Sequence, residues 1–127
     1  MRRNPLRDLF ARGKVAVNGW LSIPSAYAAE GTGHQGFDSM TVDLQHGMIG
    51  FEAAVAMLQA LSSTPAVPLV RGGSNDPARV THLLDAGAYG VICPLVSSAE
   101  EARAFVSSRR CPPVGSRSFG PSRGLLY

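Results

Sequence analysis

Gly36-Phe37-Asp38-Ser39-Met40-Thr41-Val42-Asp43-Leu44-Gln45-His46-Gly47 is the stretch on which the fold turns. A glycine leads into a run that reads as a buried strand, and that run ends in a carboxylate and an imidazole three residues apart. If the strand belongs to an α/β sheet, its carboxyl end is the edge where such folds place ligands. Asp43 and His46 could then form an acid/base pair, the carboxylate fixing the imidazole tautomer while the other ring nitrogen handles a proton. An ordinary loop histidine with satisfied hydrogen bonds fits the same spacing.

Outward from this stretch the chain alternates strand-like and helix-like segments. Residues 4–13 predict a short leading helix, with Asn4 as N-cap, Pro5 at the first position and Gly13 as a stop. Residues 15–22 give a first strand ending at Pro24, and Ser25 can cap a helix through about Gly33. Residues 37–43 are the second strand. A helix fits residues 51–62, with Phe51, Val55, Leu58 and Leu61 on one face, and Pro65 stops it. Residues 67–71 are the third strand, and Asp76-Pro77 opens a helix with Val80, Leu83 and Leu84 inward, closed by Gly87. Residues 88–93 are the fourth strand, and Ser98-Ala99-Glu100-Glu101 is a capping box for a helix burying Ala102, Phe105 and Val106. The strands read as near-continuous apolar runs joined by links long enough for right-handed crossovers, which predicts a parallel sheet buried on both faces. A small open α/β sheet and the first half of a (β/α)8 barrel both satisfy this order, although a complete barrel needs about 250 residues.

The 127 residues, 45% hydrophobic and 17% charged, match an ordinary single globular domain with a real core. No apolar run approaches the roughly 18 residues of a membrane span. The N-terminus lacks the apolar centre of a signal peptide, so a cytoplasmic location is the default expectation. Cys93 and Cys111 have neither a metal-ligand spacing nor a disulfide pattern and read as reduced thiols. The net charge of +3 is concentrated in the two ends around an acidic middle. Without interleaved aromatics this does not point to nucleic acid, and solvated termini are the simpler reading.

The reactive groups gather at the strand ends: Trp20 and Ser22, then Asp43 with His46, Arg71, and Cys93. An arginine closing an apolar strand is costly unless it meets an anion, so Arg71 is either a carboxylate or phosphate clamp or a structural partner of Asp43 or Asp76. His34 and His82 read as surface residues, and Met40, Met48 and Met57 as core filler. Gly72-Gly73 suits a flexible turn with at most one backbone phosphate contact, being neither a dinucleotide fingerprint nor a Walker loop. Nothing in the sequence lowers the pKa of Cys93, which reads as a buried thiol.

Taken together, the ordered blocks Gly36-Phe37-Asp38, Asp43-x-x-His46-Gly47, Pro68-x-Val70-Arg71, Asn75-Asp76-Pro77, Leu83-Leu84-Asp85-x-Gly87-Ala88, Pro94-Leu95-Val96 with Ala99-Glu100-Glu101-Ala102, and Pro112-Pro113-x-Gly115-x-Arg117 resemble the HpcH/HpaI class II pyruvate aldolases, in particular hydroxyketoacid aldolases. The likeness runs from about residue 4 to the end. It implies the N-terminal half, about (β/α)4, of a (β/α)8 TIM barrel, as one partial domain over residues 1–127. It also implies a lyase that cleaves 4-hydroxy-2-oxo acids to pyruvate and an aldehyde. The implied cofactor is a divalent metal ion, magnesium, manganese or cobalt. By the same resemblance His46 with Asp43 would serve as the base, through water, and Arg71 would hold the pyruvate oxygens and stabilise the enolate. Trp20 would be a substrate-binding residue, and Gln45, where many relatives carry Glu, would touch the hydrogen bonding around metal-bound water. The family's metal ligands, a Glu and an Asp from strands five and six, are not in these residues, so little activity of the chain alone is expected. The implied partners are the small 2-oxo acid and aldehyde, and further copies of the full-length chain in a homo-oligomer. A non-catalytic half barrel that captures a small carboxylate at Arg71 is the rival reading.

Overall fold

The computed structural model describes residues 3–120 and 122–126, so the expected 1–127 domain runs beyond the described set at residues 1, 2, 121 and 127. Its elements follow the order α1 (Pro5–Ala11), β1 (Asn18–Leu21), α2 (Ala26–Gly33), β2 (Ser39–Asp43), α3 (Phe51–Leu61), β3 (Val67–Arg71), α4 (Pro77–Asp85), β4 (Gly90–Ile92) and α5 (Ala99–Ser107). Side-chain caps start four of the helices: the Leu6, Ala28, Ala78 and Glu101 N–H groups donate to Asn4, Ser25, Asp76 and Ser98. In the capping box of α5 the Glu101 carboxylate reaches back to the Ser97 N–H at 2.7 Å, one residue earlier than in the simplest form of the motif. α4 stops where Gly87 takes φ +104, a conformation open to glycine at no steric cost.

The four strands form one parallel sheet in the order β1-β2-β3-β4, so this is an α/β chain with half the strands of a (β/α)8 barrel. The register aligns Asn18, Ser39 and Val67 at one end and Asp43, Arg71 and Ile92 at the other. One face of the sheet carries the apolar core, where Leu21, Met40, Val42 and Val70 pack with Ala29, Ala54, Met57, Leu58, Leu61 and Leu83. The opposite face carries Asn18, Trp20, Ser39, Thr41, Asp43 and Arg71, set by the two-residue alternation of strands.

Several expectations need correction. β2 is buried along its whole length yet alternates polar Ser39, Thr41 and Asp43 with apolar Met40 and Val42, so it is not a continuous apolar run. It starts at Ser39, not at residue 37, because the chain is still turning out of Gly36 (φ +89) at Phe37 and Asp38. β1 starts at Asn18, not at residue 15. The Val17 N–H is taken by the Asp38 side chain at 2.7 Å rather than by a ladder partner, and Val15 and Val17 are exposed. β4 is limited to three residues because the Ala88 N–H closes α4 on the Leu83 carbonyl and Pro94 has no N–H to donate.

The leading helix covers Pro5–Ala11 within the expected 4–13. In α3 the buried face is Ala54, Met57, Leu58 and Leu61, while Phe51 at the first turn is exposed. No residue of α5 is buried, because among the described residues no strand lies beyond β4 for Phe105 and Val106 to pack on. Met40 and Met57 are core, but Met48 is 83% exposed in the loop after β2. No helix of the described residues is long and apolar enough to cross a membrane.

Met57→Ala should therefore cost about 2–5 kcal/mol in denaturant unfolding, whereas Met48→Ala should stay within about 0.5 kcal/mol. Equal effects would contradict the placement of the two side chains.

Candidate anion-binding site at the strand ends

Asp43 is the last residue of β2 and is almost fully buried, with 2% of its surface exposed. A carboxylate there needs donors on every lone pair to offset its lost hydration. It has five. Its Oδ1 accepts from Arg71 Nε at 2.8 Å, from the Gln45 N–H at 3.0 Å and from the His46 N–H at 3.2 Å. Its Oδ2 accepts from Trp20 Nε1 at 3.1 Å and from Arg71 Nη2. The bidentate arginine, then the Trp20 indole and the two backbone N–H groups, together outweigh burial and hold the Asp43 carboxyl well below the usual carboxylate range. The same bond raises the pKa of Arg71, so the pair is ionised throughout the neutral range.

The backbone delivers these groups to one place. Register puts Arg71 directly beside Asp43 on the neighbouring strand, and Trp20 comes from β1 on the other side of β2. The turn after β2 folds over the carboxylate and is tied to β1 by the Met48 N–H on the Ser22 carbonyl at 3.1 Å. Gly47 is required in that turn, since a Cβ there would lie 2.2 Å from the Asp43 carbonyl oxygen. The Arg71 guanidinium lies 4.9 Å from the centre of the Trp20 ring, and its side chain keeps 22% of its surface open. Nε and Nη2 serve Asp43. Nη1 has no partner among the described residues and is the free edge of the fork.

Asp43, Arg71, Trp20 and Gln45 are thus brought together, Gln45 through its backbone. Of the two alternatives for Arg71, the ion pair with Asp43 is present and still leaves Nη1 for an anion. His46 joins the group through its backbone N–H. Its ring is exposed and has no hydrogen-bond partner among the described residues, so no hydrogen bond joins the carboxylate to the imidazole among them. Cys93 is partly buried, and that burial raises its thiol pKa, the opposite of what an activated nucleophile requires. His34 and His82 lie on the surface. A neighbouring cleft of about 330 Å³, lined by Leu44, Phe51, Gly73, Arg79 and His82 among others, contains none of the Asp43 cluster.

Two further groups escaped the sequence reading. Asn18 accepts from the hydroxyls of Ser39 at 2.8 Å and Thr41 at 3.0 Å, continuing the polar face below Asp43. The alternation of Ser39, Thr41 and Asp43 was the available signal. Asp85 pairs with Arg117 at 2.5 Å and fastens the segment after α5 to α4; an acid and a base separated by 32 residues carry no local pattern.

The divalent metal implied by the resemblance does not fit the residues at hand. Among the described residues no three His, Cys, Asp or Glu side chains converge to hold an ion, and both Asp43 oxygens are already saturated by N–H donors.

Because the folded Asp43 pKa is depressed, its stabilisation is complete above the ordinary aspartate range and is lost as the pH falls through the folded value. Asp43→Asn should accordingly melt well below the unsubstituted chain at pH 7, with the gap closing below about pH 4. A gap constant with pH in thermal melts would contradict the ionised pair.

The sequence profile of the HpcH/HpaI aldolase/citrate lyase family matches residues 18–126. A hydroxypyruvate/pyruvate aldolase of Rhizorhabdus wittichii is 40% identical over 123 residues, 97% of this chain and 49% of the relative. A 4-hydroxy-2-oxo-heptane-1,7-dioate aldolase of Salmonella dublin is 36% identical over 118 residues, 93% of this chain and 45% of the relative. Among solved structures, an HpcH/HpaI aldolase/citrate lyase family protein from Burkholderia cenocepacia superposes with a TM-score of 0.88 at 27% identity, covering 98% of this chain and 53% of that one. The chain spans about half the length of the curated relatives it matches. Profile, sequence and superposition agree, and the chain belongs to the HpcH/HpaI aldolase/citrate lyase family.

Proposed function

We propose that this chain carries the anion-holding and proton-accepting groups of a carbon–carbon lyase that cleaves 4-hydroxy-2-oxo acids to pyruvate and an aldehyde. The observation that carries this reading is Arg71, fixed on Asp43 with its Nη1 edge open at the carboxyl end of the sheet. Family relatives named as hydroxypyruvate/pyruvate and 4-hydroxy-2-oxo-heptane-1,7-dioate aldolases support the same chemistry.

In the cleavage direction the C4 hydroxyl gives its proton to the His46 imidazole, directly or through water. The C3–C4 bond breaks, and its electron pair passes to the enolate of pyruvate. Negative charge grows on the C2 oxygen, and a guanidinium already fixed in place stabilises it without reorganisation at the moment of reaction. Asp43 serves as the anchor of Arg71, and its bonds to the Gln45 and His46 N–H groups hold the turn that presents the base. Its small-molecule partners are the 2-oxo acid and the aldehyde of this reversible cleavage, met in a compartment of water-borne metabolites such as the cytoplasm.

The family implies a divalent metal, magnesium, manganese or cobalt, as cofactor of the whole enzyme. Since the described residues offer no ligand set, we assign its ligands to protein outside them, and with them efficient turnover. An assembly of several copies in the whole enzyme belongs to the same reading.

Titration calorimetry with oxalate, a planar mimic of the pyruvate enolate, should show binding that Arg71→Ala abolishes. Retro-aldol assays of the chain with magnesium or manganese should show little pyruvate release. Oxalate binding indifferent to Arg71 would contradict the anion-site assignment, and robust turnover by the chain would contradict the assignment of the metal ligands elsewhere.

A further inference from the structure

Trp20 is the single tryptophan of the chain and lies on β1 with nearly half of its surface exposed, an unusual place for a large apolar ring. Its indole hydrogen bond and its cation–π contact both end on the anion site. The indole N–H donates to Asp43 Oδ2 at 3.1 Å, and the ring lies under the Arg71 guanidinium at 4.9 Å.

The distribution of donors on Asp43 shows what this does. The two backbone N–H groups, from Gln45 and His46, both reach Oδ1, so the turn fixes only one of the carboxylate oxygens. Apart from Arg71 itself, Trp20 supplies the one bond to Oδ2 among the described residues. The plane of the carboxylate, and with it the plane of the bidentate guanidinium, is therefore set by Gln45 and His46 on one side and Trp20 on the other. The ring face beneath Arg71 adds a cation–π contact in the same sense.

We infer that Trp20 is a positioning residue, which acts through Asp43 to aim the free Nη1 edge of Arg71 at the bound anion. The inference rests on the reading of Arg71 as the anion-holding group. It differs from a substrate contact, because the effect of Trp20 is already present with no ligand bound. Trp20→Phe isolates it: the ring over the guanidinium is kept and the N–H on Oδ2 is lost.

Two measurements test this. In titration calorimetry with oxalate, Trp20→Phe should bind about tenfold more weakly, the loss of one hydrogen bond to a charged group. In ligand-free protein, the Arg71 Nε–H resonance should show slow exchange and hindered guanidinium rotation, and both should be relaxed in Trp20→Phe while circular dichroism remains unchanged. Weaker binding with an unaltered ligand-free Arg71 signal would make Trp20 a direct contact and overturn the inference, as would unchanged binding.

Failure of the underlying reading has a different signature, with the unsubstituted chain not binding oxalate or Arg71→Ala binding it equally. Should Trp20→Phe not fold, the unsubstituted chain still decides. Its single indole N–H should exchange slowly with solvent and become fast in Asp43→Asn, and an indole N–H that exchanges freely from the start would overturn the proposal.

Discussion

One buried carboxylate organises the functional edge of this chain. Asp43 sits in the second strand with its charge removed from water, and the five N–H groups that compensate it come from the first strand, the third strand and the turn that follows its own. Desolvation makes this all or nothing: a buried carboxylate with a missing donor is costly, whereas one with a complete set is stable and rigid. The consequence is that three adjacent strand ends and one turn are locked into a single arrangement. Arg71 is the member of that arrangement left with donors to spare.

The parallel sheet makes the arrangement possible. Crossover helices cover one face and absorb the apolar half of each strand, which leaves the alternate positions free to be polar. In the second strand this separates Met40 and Val42 from Ser39, Thr41 and Asp43 with no change of chain direction. The core on one face and the site on the other are therefore built from the same five residues. A one-residue slip of register would exchange them, so the apolar packing that stabilises the sheet also determines where the carboxylate points.

Much of this was legible in the sequence. Asn4, Ser25, Asp76 and Ser98 announce the helices they cap, and the crossover lengths require parallel strands. Arg71 at a strand end demanded an anion, and Asp43 was among the partners considered. The carboxylate–imidazole pairing that spacing suggests is not formed: His46 is close in sequence, while Trp20 and Arg71 lie 23 and 28 residues away and meet Asp43 only through register. Strand boundaries were overextended for a related reason: Val15 and Val17 have strand-forming side chains, but the ladder is pre-empted by the Asp38 carboxylate, which no local pattern reveals. The apolar spacing of Ala102, Phe105 and Val106 predicts a buried face on α5, but none of the three is buried, since a face is buried only where a neighbour exists.

The central claim is that Arg71 holds an anion while remaining bound to Asp43. A crystal structure of the chain grown with oxalate tests it directly. Oxalate oxygens are expected against Arg71 Nη1, with the bidentate Asp43 bond and the Trp20 N–H contact unchanged. Oxalate bound elsewhere, or an Arg71 side chain that has left Asp43 to reach it, would contradict the account.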